Sequence, residues 1–368
     1  MKWNELPDIP SQQAWDVIGR VLGETTKWLL GLDEPARILI QGLFTVIPYT
    51  DKLGRIKSLG QPHGMFIGGT GVGKTDLVES MSMTVKARFQ RIQGNPELLP
   101  SDIVISEAFD YESGNPVIVA VPGPIFAHVL LFDEGNRAPG VTKSAILEAA
   151  EERSVTLPRI YPGLAKRKII PVYPLSEDLD DIDGLRFSMM LVTQNIFGEE
   201  EGTYANPVAE LDRITFTIPL RDPDNEEDEM AINAENVVGK TVQEVTDLVE
   251  VLTVAKHIYS SVGFSPQAKI YRARLLRNTR PHRVQGLIAG DVKKYVHTGA
   301  SPRVNFHLEA MARSAAFFDG SEVVTPDHVK SAARLVIPHR LVLRPGVQRK
   351  ISKQEFFEKV IEATDLPK

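Results

Sequence analysis

Cysteine is absent from this chain of 368 residues. Its absence excludes disulfide bonds, thiol catalysis and cysteine-ligated metal sites. The sequence also has no apolar run long enough to span a membrane, and residues 1–7 lack the apolar segment of a secretion signal. By elimination we expect a cytoplasmic protein without a membrane span.

The length and the charge balance limit the remaining classes. A chain of 368 residues is too long for one ordinary hydrophobic core, so about two domains are expected. The formal net charge of −6 disfavours a protein whose whole surface binds nucleic acid, although a local basic patch is compatible with it.

The most specific motif is a glycine-rich loop of the pattern G-x-x-x-x-G-K-[ST]. Its backbone N–H groups turn inward at the start of a helix, where the helix dipole also favours negative charge. An apolar run at 64–67 predicts a strand before the loop, and a helix is predicted after it, which is the context the motif requires. We therefore predict that the chain binds a nucleoside triphosphate. The candidate binding residues are Gly68, Gly69, Thr70, Gly71, Val72, Gly73, Lys74, Thr75 and Asp76.

Two carboxylates predict hydrolysis of the bound nucleotide. Lys74 of the loop is expected to reach the β- and γ-phosphates, and the Thr75 hydroxyl to bind Mg²⁺. The apolar run 129–132 ends in Asp133 and Glu134. Asp133 can hold the Mg²⁺ through water beside Thr75, and Glu134 can polarise the attacking water. The chain has no Asn-Lys-x-Asp motif for guanine, so the predicted cofactors are ATP and Mg²⁺.

Another apolar run, at 188–192, ends in the polar residues 193–195. In a parallel sheet such strand ends lie on the ligand side of the fold. Asn195 can therefore reach the attacking water or the γ-phosphate. By itself this is a weak signal, because an asparagine after a strand is usually only a turn residue.

Five short apolar runs predict the strands of a mostly parallel sheet. Helical patterns lie between several of them, notably at 143–152, and this alternation indicates an α/β domain whose sheet is covered on both faces. Residues 1–50 are predicted to be helical. The predicted strands cover residues 64–67, 89–92, 128–132, 188–192 and 213–218.

A polar, acidic stretch at 222–229 predicts a domain junction, and helix signals dominate after it. We therefore divide the chain into residues 1–222, with N-terminal helices and the α/β domain, and residues 223–368, a helical domain. The helix-capping patterns in the second part are Thr241-x-x-Glu244, Ser352-x-x-Glu355 and Thr325 before Pro326.

Similarity to a known family extends well beyond the nucleotide motifs. The matching stretches are RIQ (91–93), PELLPSD (96–102), GPIFA (123–127), DEGNRA (133–138), LEAAEERSVT (147–156), TQN (193–195), EGTY (201–204), ELDR (210–213), GASPR (299–303) and PHR (338–340). On these residues the chain resembles a MoxR-type AAA+ ATPase, in the group that carries an insertion in its second helix. The resemblance implies an AAA+ P-loop NTPase core with a five-stranded parallel sheet, followed by an all-helical lid domain.

The resemblance also implies roles for two arginines. Arg213 matches the family's arginine finger, which acts on the nucleotide of a neighbouring subunit. Arg303 matches the second sensor, which reports the γ-phosphate from the lid, in its own subunit or across the interface. The family implies a homo-hexamer with a chaperone-like role, which remodels, assembles or activates a protein client, often with a partner that contains a von Willebrand factor A domain.

Two alternatives to this function stay open. Replicative helicase subunits share the same insertions, so a nucleic-acid-stimulated motor is one, and a nucleotide-dependent assembly scaffold is the other. A cluster of basic residues could follow phosphates, but no aromatic residue is interleaved with it, which favours the polar face of lid helices or a subunit contact. The cluster consists of Arg272, Arg274, Arg277, Arg280, His282 and Arg283.

The stretch 157–185 is longer than the family norm. It contains a basic triplet at 166–168 and an acidic run at 177–183. A hairpin that lines the ring and contacts substrates is one interpretation, and a solvated loop is the other.

Overall fold

The structure is a computed structural model that describes residues 3–50, 56–110, 117–156, 172–174, 187–195, 211–221, 241–347 and 350–367. None of the helices in these ranges is both long and apolar enough to cross a membrane. The α-helices are α1 (Ser11–Thr26), α2 (Asp33–Leu43), α3 (Lys74–Thr84), α4 (Pro100–Ile103), α5 (Gly140–Glu152), α6 (Leu248–Ser261), α7 (Pro266–Asn278), α8 (Ala289–Tyr295), α9 (Val304–Phe318), α10 (Pro326–Val336) and α11 (Lys353–Glu362).

The strands form one central sheet and several two-stranded pairs. Short 3₁₀ helices lie at Trp3–Glu5, Gly135–Arg137 and Pro338–Arg340. The strands are β1 (Ile47–Thr50), β2 (Ile56–Gly60), β3 (Gly64–Ile67), β4 (Val85–Lys86), β5 (Phe89–Gln93), β6 (Ile105–Asp110), β7 (Val117–Pro122), β8 (Val129–Asp133), β9 (Ser154–Thr156), β10 (Val172–Pro174), β11 (Met189–Gln194), β12 (Phe216–Pro219), β13 (Thr246–Asp247), β14 (Gly263–Phe264), β15 (Val296–Thr298), β16 (Val323–Val324) and β17 (Val342–Leu343).

The central sheet has the order β12-β3-β11-β8-β5, and all neighbouring strands are parallel. The predicted five-stranded parallel sheet is therefore confirmed. Strand β3, which precedes the glycine-rich loop, lies between two strands that come much later in the chain. Ligands of open α/β sheets bind at the carboxyl ends of the strands, at such a change in strand order.

Both faces of this sheet are buried, as the alternation of side chains along β8 illustrates. Val129 and Leu131 belong to the cluster packed against α1, α2 and α3. Leu130 and Phe132 belong to a second cluster, which contains the apolar side chains of α5. Successive residues of a strand face opposite sides of the sheet, so an unbroken apolar run is what a strand buried on both faces requires.

The N-terminal helices connect the α/β part with the C-terminal helices. Trp15 of α1 stacks on Phe317 of α9, with ring centroids 5.0 Å apart and planes 10° from parallel. The cluster on this face of the sheet continues through α6, α9 and α10. The division of the chain at 222/223 stays a prediction, because residues 222–240 lie outside the described ranges.

Two antiparallel hairpins, β1–β2 and β6–β7, were not predicted from the sequence. The last predicted strand also begins later than expected, at Phe216, because the amide of Ile214 bonds the carbonyl of Leu211 and closes a turn. Arg213 therefore lies before the strand rather than within it.

The predicted helix start at Thr241 is wrong. The amide of Val245 donates to the carbonyl of Thr84, and β13 then pairs with β4, which holds this stretch extended. Helix α6 starts later and is capped by Asp247, whose carboxylate accepts from the amide of Glu250 at 2.8 Å. The caps predicted at Ser352 and Thr325 are confirmed.

Three histidines are buried where the C-terminal helices meet the α/β part. Burial lowers the pKa of His63 to about 3, with the nearby Arg153 charge acting in the same direction. Burial, and then the charge of Arg340, lower the pKa of both His307 and His339 well below 6.5. All three rings are therefore neutral in the folded protein at neutral pH.

Protonation of these histidines should destabilise the fold in mild acid. Below pH 6.5 these histidines bind protons in the unfolded chain, whereas the buried rings stay neutral in the folded one. The free energy of unfolding should therefore fall as the pH falls from 6.5 to 5. Each histidine contributes up to about 1.4 kcal/mol per pH unit. Chemical denaturation at several pH values measures this slope.

The variant His63→Gln should reduce the slope by the contribution of one proton, whatever its effect on stability at neutral pH. His282→Gln, which replaces an exposed histidine, is the matched control. Equal slopes for His63→Gln and the wild type would contradict the conclusion that the buried His63 ring stays neutral in the folded protein.

Candidate active site

The glycine-rich loop joins β3 to α3. Gly71 and Gly73 have φ angles of 82° and 76°, in the left-handed region that glycine adopts without strain. Gly68 meets a second constraint, because a Cβ at this position would lie 2.6 Å from the carbonyl oxygen of Leu220. The backbone of the loop therefore requires glycines at these positions.

The Lys74 side chain is buried and folds back over this loop. Its Nζ donates to the carbonyl oxygens of Gly68 at 2.8 Å and Gly69 at 2.5 Å, and to Oδ1 of Asn195 at 2.7 Å. Asn195 follows β11, so its contact with Lys74 confirms that the ends of β3 and β11 meet. The cation is held at the centre of the loop.

Asp133 is buried at the end of β8 and uses both carboxylate oxygens. Oδ1 accepts from the hydroxyl of Thr75 at 3.0 Å and from the hydroxyl of Thr193. Oδ2 accepts from Arg91 Nη2 at 2.5 Å. A hydroxyl and a carboxylate at this distance are oxygen ligands of the kind that Mg²⁺ prefers, so the residues present fit that ion.

Glu134 has a left-handed backbone, with φ 48° and ψ 42°. This conformation is strained for a residue with a side chain. Its amide donates to the Thr193 hydroxyl at 2.9 Å, and its carbonyl oxygen lies so close to Gly94 that a Cβ there would be only 2.3 Å away. Oε2 of Glu134 accepts from Gln93 Nε2 and from Arg137 Nη1, both at 2.9 Å.

These side chains surround a cavity of 250 Å³ at the carboxyl ends of the strands. No role at the site is predicted from the sequence for Arg91, Gln93, Arg137 or Thr193. Gln93 ends β5 and Thr193 lies one residue before the end of β11, and both strands neighbour β8. This signal can be used only once the strand order is known. The cavity is lined by Thr70, Gly71, Val72, Gly73, Lys74, Thr75, Asp76, Arg91, Gln93, Asp133, Glu134, Thr193 and Asn195.

Arg213 and Arg303 do not line this cavity. Both lie at a second cavity of 410 Å³, together with the buried His63 and His307. Arg213 Nε is 2.6 Å from one carboxylate oxygen of Glu151, and Arg303 Nη1 is 2.5 Å from the other. The fold thus collects the loop, the two carboxylates and Asn195 in one place and the two arginines in another.

Comparison with known proteins decides the family. Residues 63–171 match the model of the ATPase family associated with various cellular activities (AAA), and residues 288–360 match that of the AAA lid domain. The chain is 30% identical over 353 residues to chaperone MoxR1 of Mycobacterium tuberculosis, an alignment that covers 95% of this chain and 82% of that protein. The chain belongs to the MoxR family of AAA+ ATPases.

Further similarities agree with this assignment. The chain is 29% identical to the uncharacterized protein YeaC of Bacillus subtilis (81% of this chain, 83% of that one) and 26% identical to protein MoxR of Paracoccus denitrificans (81% and 85%). The fold is similar to the crystal structure of a candidate ATPase from Cytophaga hutchinsonii, with a TM-score of 0.76 and 25% identity over 97% of this chain and 98% of that one. The predicted family, fold class and ATPase activity are confirmed.

The loop that carries Arg213 is anchored by the buried Arg340 of the family stretch 338–340. Arg340 donates to the carbonyl oxygens of Thr215 at 3.1 Å and Asp212 at 3.2 Å, and also to that of Ile214. Its Nε is 3.3 Å from Asp212 Oδ1. Burial lowers the pKa of Arg340 to about 10, so it stays charged at neutral pH.

Half of the basic cluster at 272–283 is engaged within the chain. Arg272 pairs with Glu309 at 2.5 Å, Arg274 donates to the carbonyl oxygen of Asp365, and Arg280 donates to that of Ala300. These contacts agree with the interpretation of a polar lid surface.

Several stretches named from the sequence lie outside the described ranges. They are residues 201–204 and 210 of the family motifs, and all of 157–185 except β10, which pairs with β9.

The Thr193 hydroxyl should be a measurable source of stability. It donates to Asp133 and accepts from Glu134, and Thr193 is fully buried. Thr193→Val keeps the shape but leaves the Glu134 amide without its acceptor and takes one donor from Asp133, so we expect the free energy of unfolding to fall by about 1–3 kcal/mol. ATP turnover should fall as well, because Asp133 and Glu134 lose their common anchor.

Thr253→Val is the matched control. The Thr253 hydroxyl is buried and has no hydrogen-bond partner among the described residues. Its replacement should leave stability unchanged or raise it. Equal losses from the two variants, measured by chemical denaturation, would contradict the role given to Thr193.

Proposed function

We propose that this chain is a ring-forming ATPase that hydrolyses ATP to remodel, assemble or activate a protein client. The observation that carries the proposal is the separation of the two cavities. The cavity at the glycine-rich loop is lined by Lys74, Asp133, Glu134 and Asn195 among others, whereas Arg213 and Arg303 line the second cavity. An arginine finger acts on the triphosphate, so these arginines need the nucleotide of another copy.

In this proposal the triphosphate binds the backbone of Gly68–Thr75, followed by Asp76, with Lys74 at the β- and γ-phosphates. Thr75 and Asp133 would hold Mg²⁺, Thr75 directly and Asp133 through water. The ion would neutralise phosphate charge when it is bound. The short contact between Thr75 and Asp133 supports this pairing.

Glu134 is the proposed base that polarises the attacking water. Gln93 and Arg137 hold its carboxylate at a defined place beside the cavity. Asn195 contacts Lys74 and is within reach of the γ-phosphate or the water. Positioning of this kind is the main task of a protein in phosphoryl transfer, because the chemistry needs little covalent help.

Arg213 and Arg303 are proposed to act together on the neighbour's nucleotide. The sequence left open whether Arg303 acts in its own subunit or across the interface. Its position beside Arg213, on the same carboxylate, supports action across the interface. A closed ring follows if each subunit gives its arginines to the next one, because such head-to-tail contacts close into rings.

The hexameric state, the protein client and a von Willebrand factor A domain partner are proposed from the family. The relative named as a chaperone supports a role on proteins. The motor alternative has less support, since the contacts of Arg272, Arg274 and Arg280 leave fewer free cations for phosphates. ATP turnover that rises with added DNA or RNA at low salt would favour it.

The variant Glu134→Gln tests the hydrolytic mechanism. It should bind ATP with an affinity close to that of the wild type, lose at least about 100-fold in turnover, and accumulate assembled rings. Nucleotide binding, steady-state turnover and light scattering measure these effects. The control Glu97→Gln changes an exposed carboxylate and should behave as the wild type. Turnover like that of the wild type in Glu134→Gln would overturn the mechanism.

Mixed assemblies test the shared site. Arg213→Ala should lose about 10³-fold or more in turnover and still assemble. Adding Glu134→Gln subunits, which cannot hydrolyse ATP but carry an intact Arg213, should restore turnover at the Arg213→Ala sites. No restoration would refute action across the interface, and loss of assembly together with turnover would favour the scaffold alternative.

The client can be identified with the same Glu134→Gln variant. Rings held in the ATP-bound state should retain a protein that the wild type releases, and affinity capture with and without ATP compares the two.

A further inference from the structure

We propose that Glu151 is a positioning residue for the arginine pair. Its carboxylate holds Arg213 and Arg303 side by side, so that both guanidinium groups meet the neighbour's triphosphate together. The inference rests on the proposed function, because it assumes that the two arginines act across a subunit interface.

One carboxylate bridges both arginines. Arg213 contacts Oε2 of Glu151 at 2.6 Å, and Arg303 contacts Oε1 at 2.5 Å. The guanidinium fork matches the spacing of oxygens on a carboxylate and on a phosphate alike. Two guanidinium groups that fit the two oxygens of one anion are therefore also within reach of a single phosphate group.

The end of α5 fixes the position of Glu151. Arg153, two residues further on, has a left-handed backbone with φ 54° and is buried. Its guanidinium donates to the carbonyl oxygens of Gln61 at 2.6 Å and Ser188 at 3.0 Å. The last turn of α5 is thereby tied to the segments that lead into β3 and β11, so Glu151 cannot drift away from the sheet.

The two arginines are also coupled through their neighbours. Ser301 Oγ lies 3.0 Å from both carboxylate oxygens of Asp212, the residue before Arg213. Arg340, which lies much later in the chain, contacts the same Asp212 carboxylate. The chain segments that carry Arg213 and Arg303 are thus joined through the side chains of Asp212 and Ser301, and Glu151 joins them again at the tips of the two arginines.

Electrostatics explains why an anion is needed at this place. Two guanidinium groups close together repel each other, and a carboxylate between them removes that repulsion. The C-terminal end of α5 adds negative charge of its own, which further attracts cations. The side chains of Arg213, Arg303 and Glu151 are 25%, 50% and 27% exposed, so the arginines can exchange partner when a phosphate arrives.

Glu151→Gln tests the inference because glutamine keeps the shape but removes the charge. Its single carbonyl oxygen can accept from one arginine, and its amide group faces the other. We expect kcat for ATP to fall about tenfold or more while KM stays within about twofold, since the variant's own glycine-rich loop is unchanged. Glu151→Asp, which keeps the charge on a shorter side chain, should recover part of the loss.

Glu148→Gln is the matched control. Glu148 lies on the same helix and is exposed, so this variant should keep the turnover of the wild type. Thermal melting of each variant checks that it is folded. If Glu151→Gln does not fold, Glu151→Asp carries the test, with a smaller fall in kcat expected.

Mixed assemblies separate this inference from the proposed function. Glu134→Gln subunits carry an intact Glu151 and an intact arginine pair, so adding them should restore turnover at Glu151→Gln sites. If they restore Arg213→Ala but not Glu151→Gln, the shared site stands and the inference is overturned. If they restore neither, the shared site itself is refuted.

Two other results would also overturn the inference. The first is turnover of Glu151→Gln within twofold of the wild type. The second is faster turnover, which would make Glu151 a competitor of the phosphate rather than a support for the arginines.

Discussion

The arrangement of the site depends on the parallel register of the central sheet. Gln93 of β5 lies opposite Asp133 of β8, and Gln194 of β11 lies opposite Ile67 of β3. Because these strands end at the same level, the residues that follow them meet at one edge. The glycine-rich loop, the two carboxylates and the amide then come within hydrogen-bond distance without any long loop to carry them there.

The local motifs could be predicted because each consists of a few neighbouring residues whose side-chain chemistry indicates one function. The glycine-rich loop and the acidic strand end are examples, and the unbroken apolar runs predicted strands buried on both faces. The contact of Arg91 with Asp133 could not be predicted in this way, because it depends on which strands are neighbours. Strand order is set by the packing of the whole domain and is not encoded in any one segment. For the same reason nothing in the family stretch 147–156 identified Glu151 as the partner of two arginines.

The failed prediction at Thr241 has a related cause. A capping pattern shows only that a segment could start a helix by itself. Here the segment instead makes hydrogen bonds with Thr84 and β4, which hold it extended. The late start of β12, by contrast, follows from the local turn between Leu211 and Ile214. The helical lid is likewise less separate than its composition suggested, because the Trp15–Phe317 stack belongs to a core that both parts share. An interface of this apolar kind resists rotation of one part against the other, so the lid and the N-terminal helices should move as one body.

At Glu134 the left-handed backbone conformation, which favours glycine, conflicts with the side chain that the proposed activity needs. A left-handed conformation costs of the order of 1 kcal/mol or more for a residue with a side chain, whereas glycine adopts it freely. Replacement of Glu134 by glycine would therefore relax the chain while removing the proposed catalytic carboxylate. On the proposed mechanism, backbone strain and turnover therefore place opposite demands on this one residue.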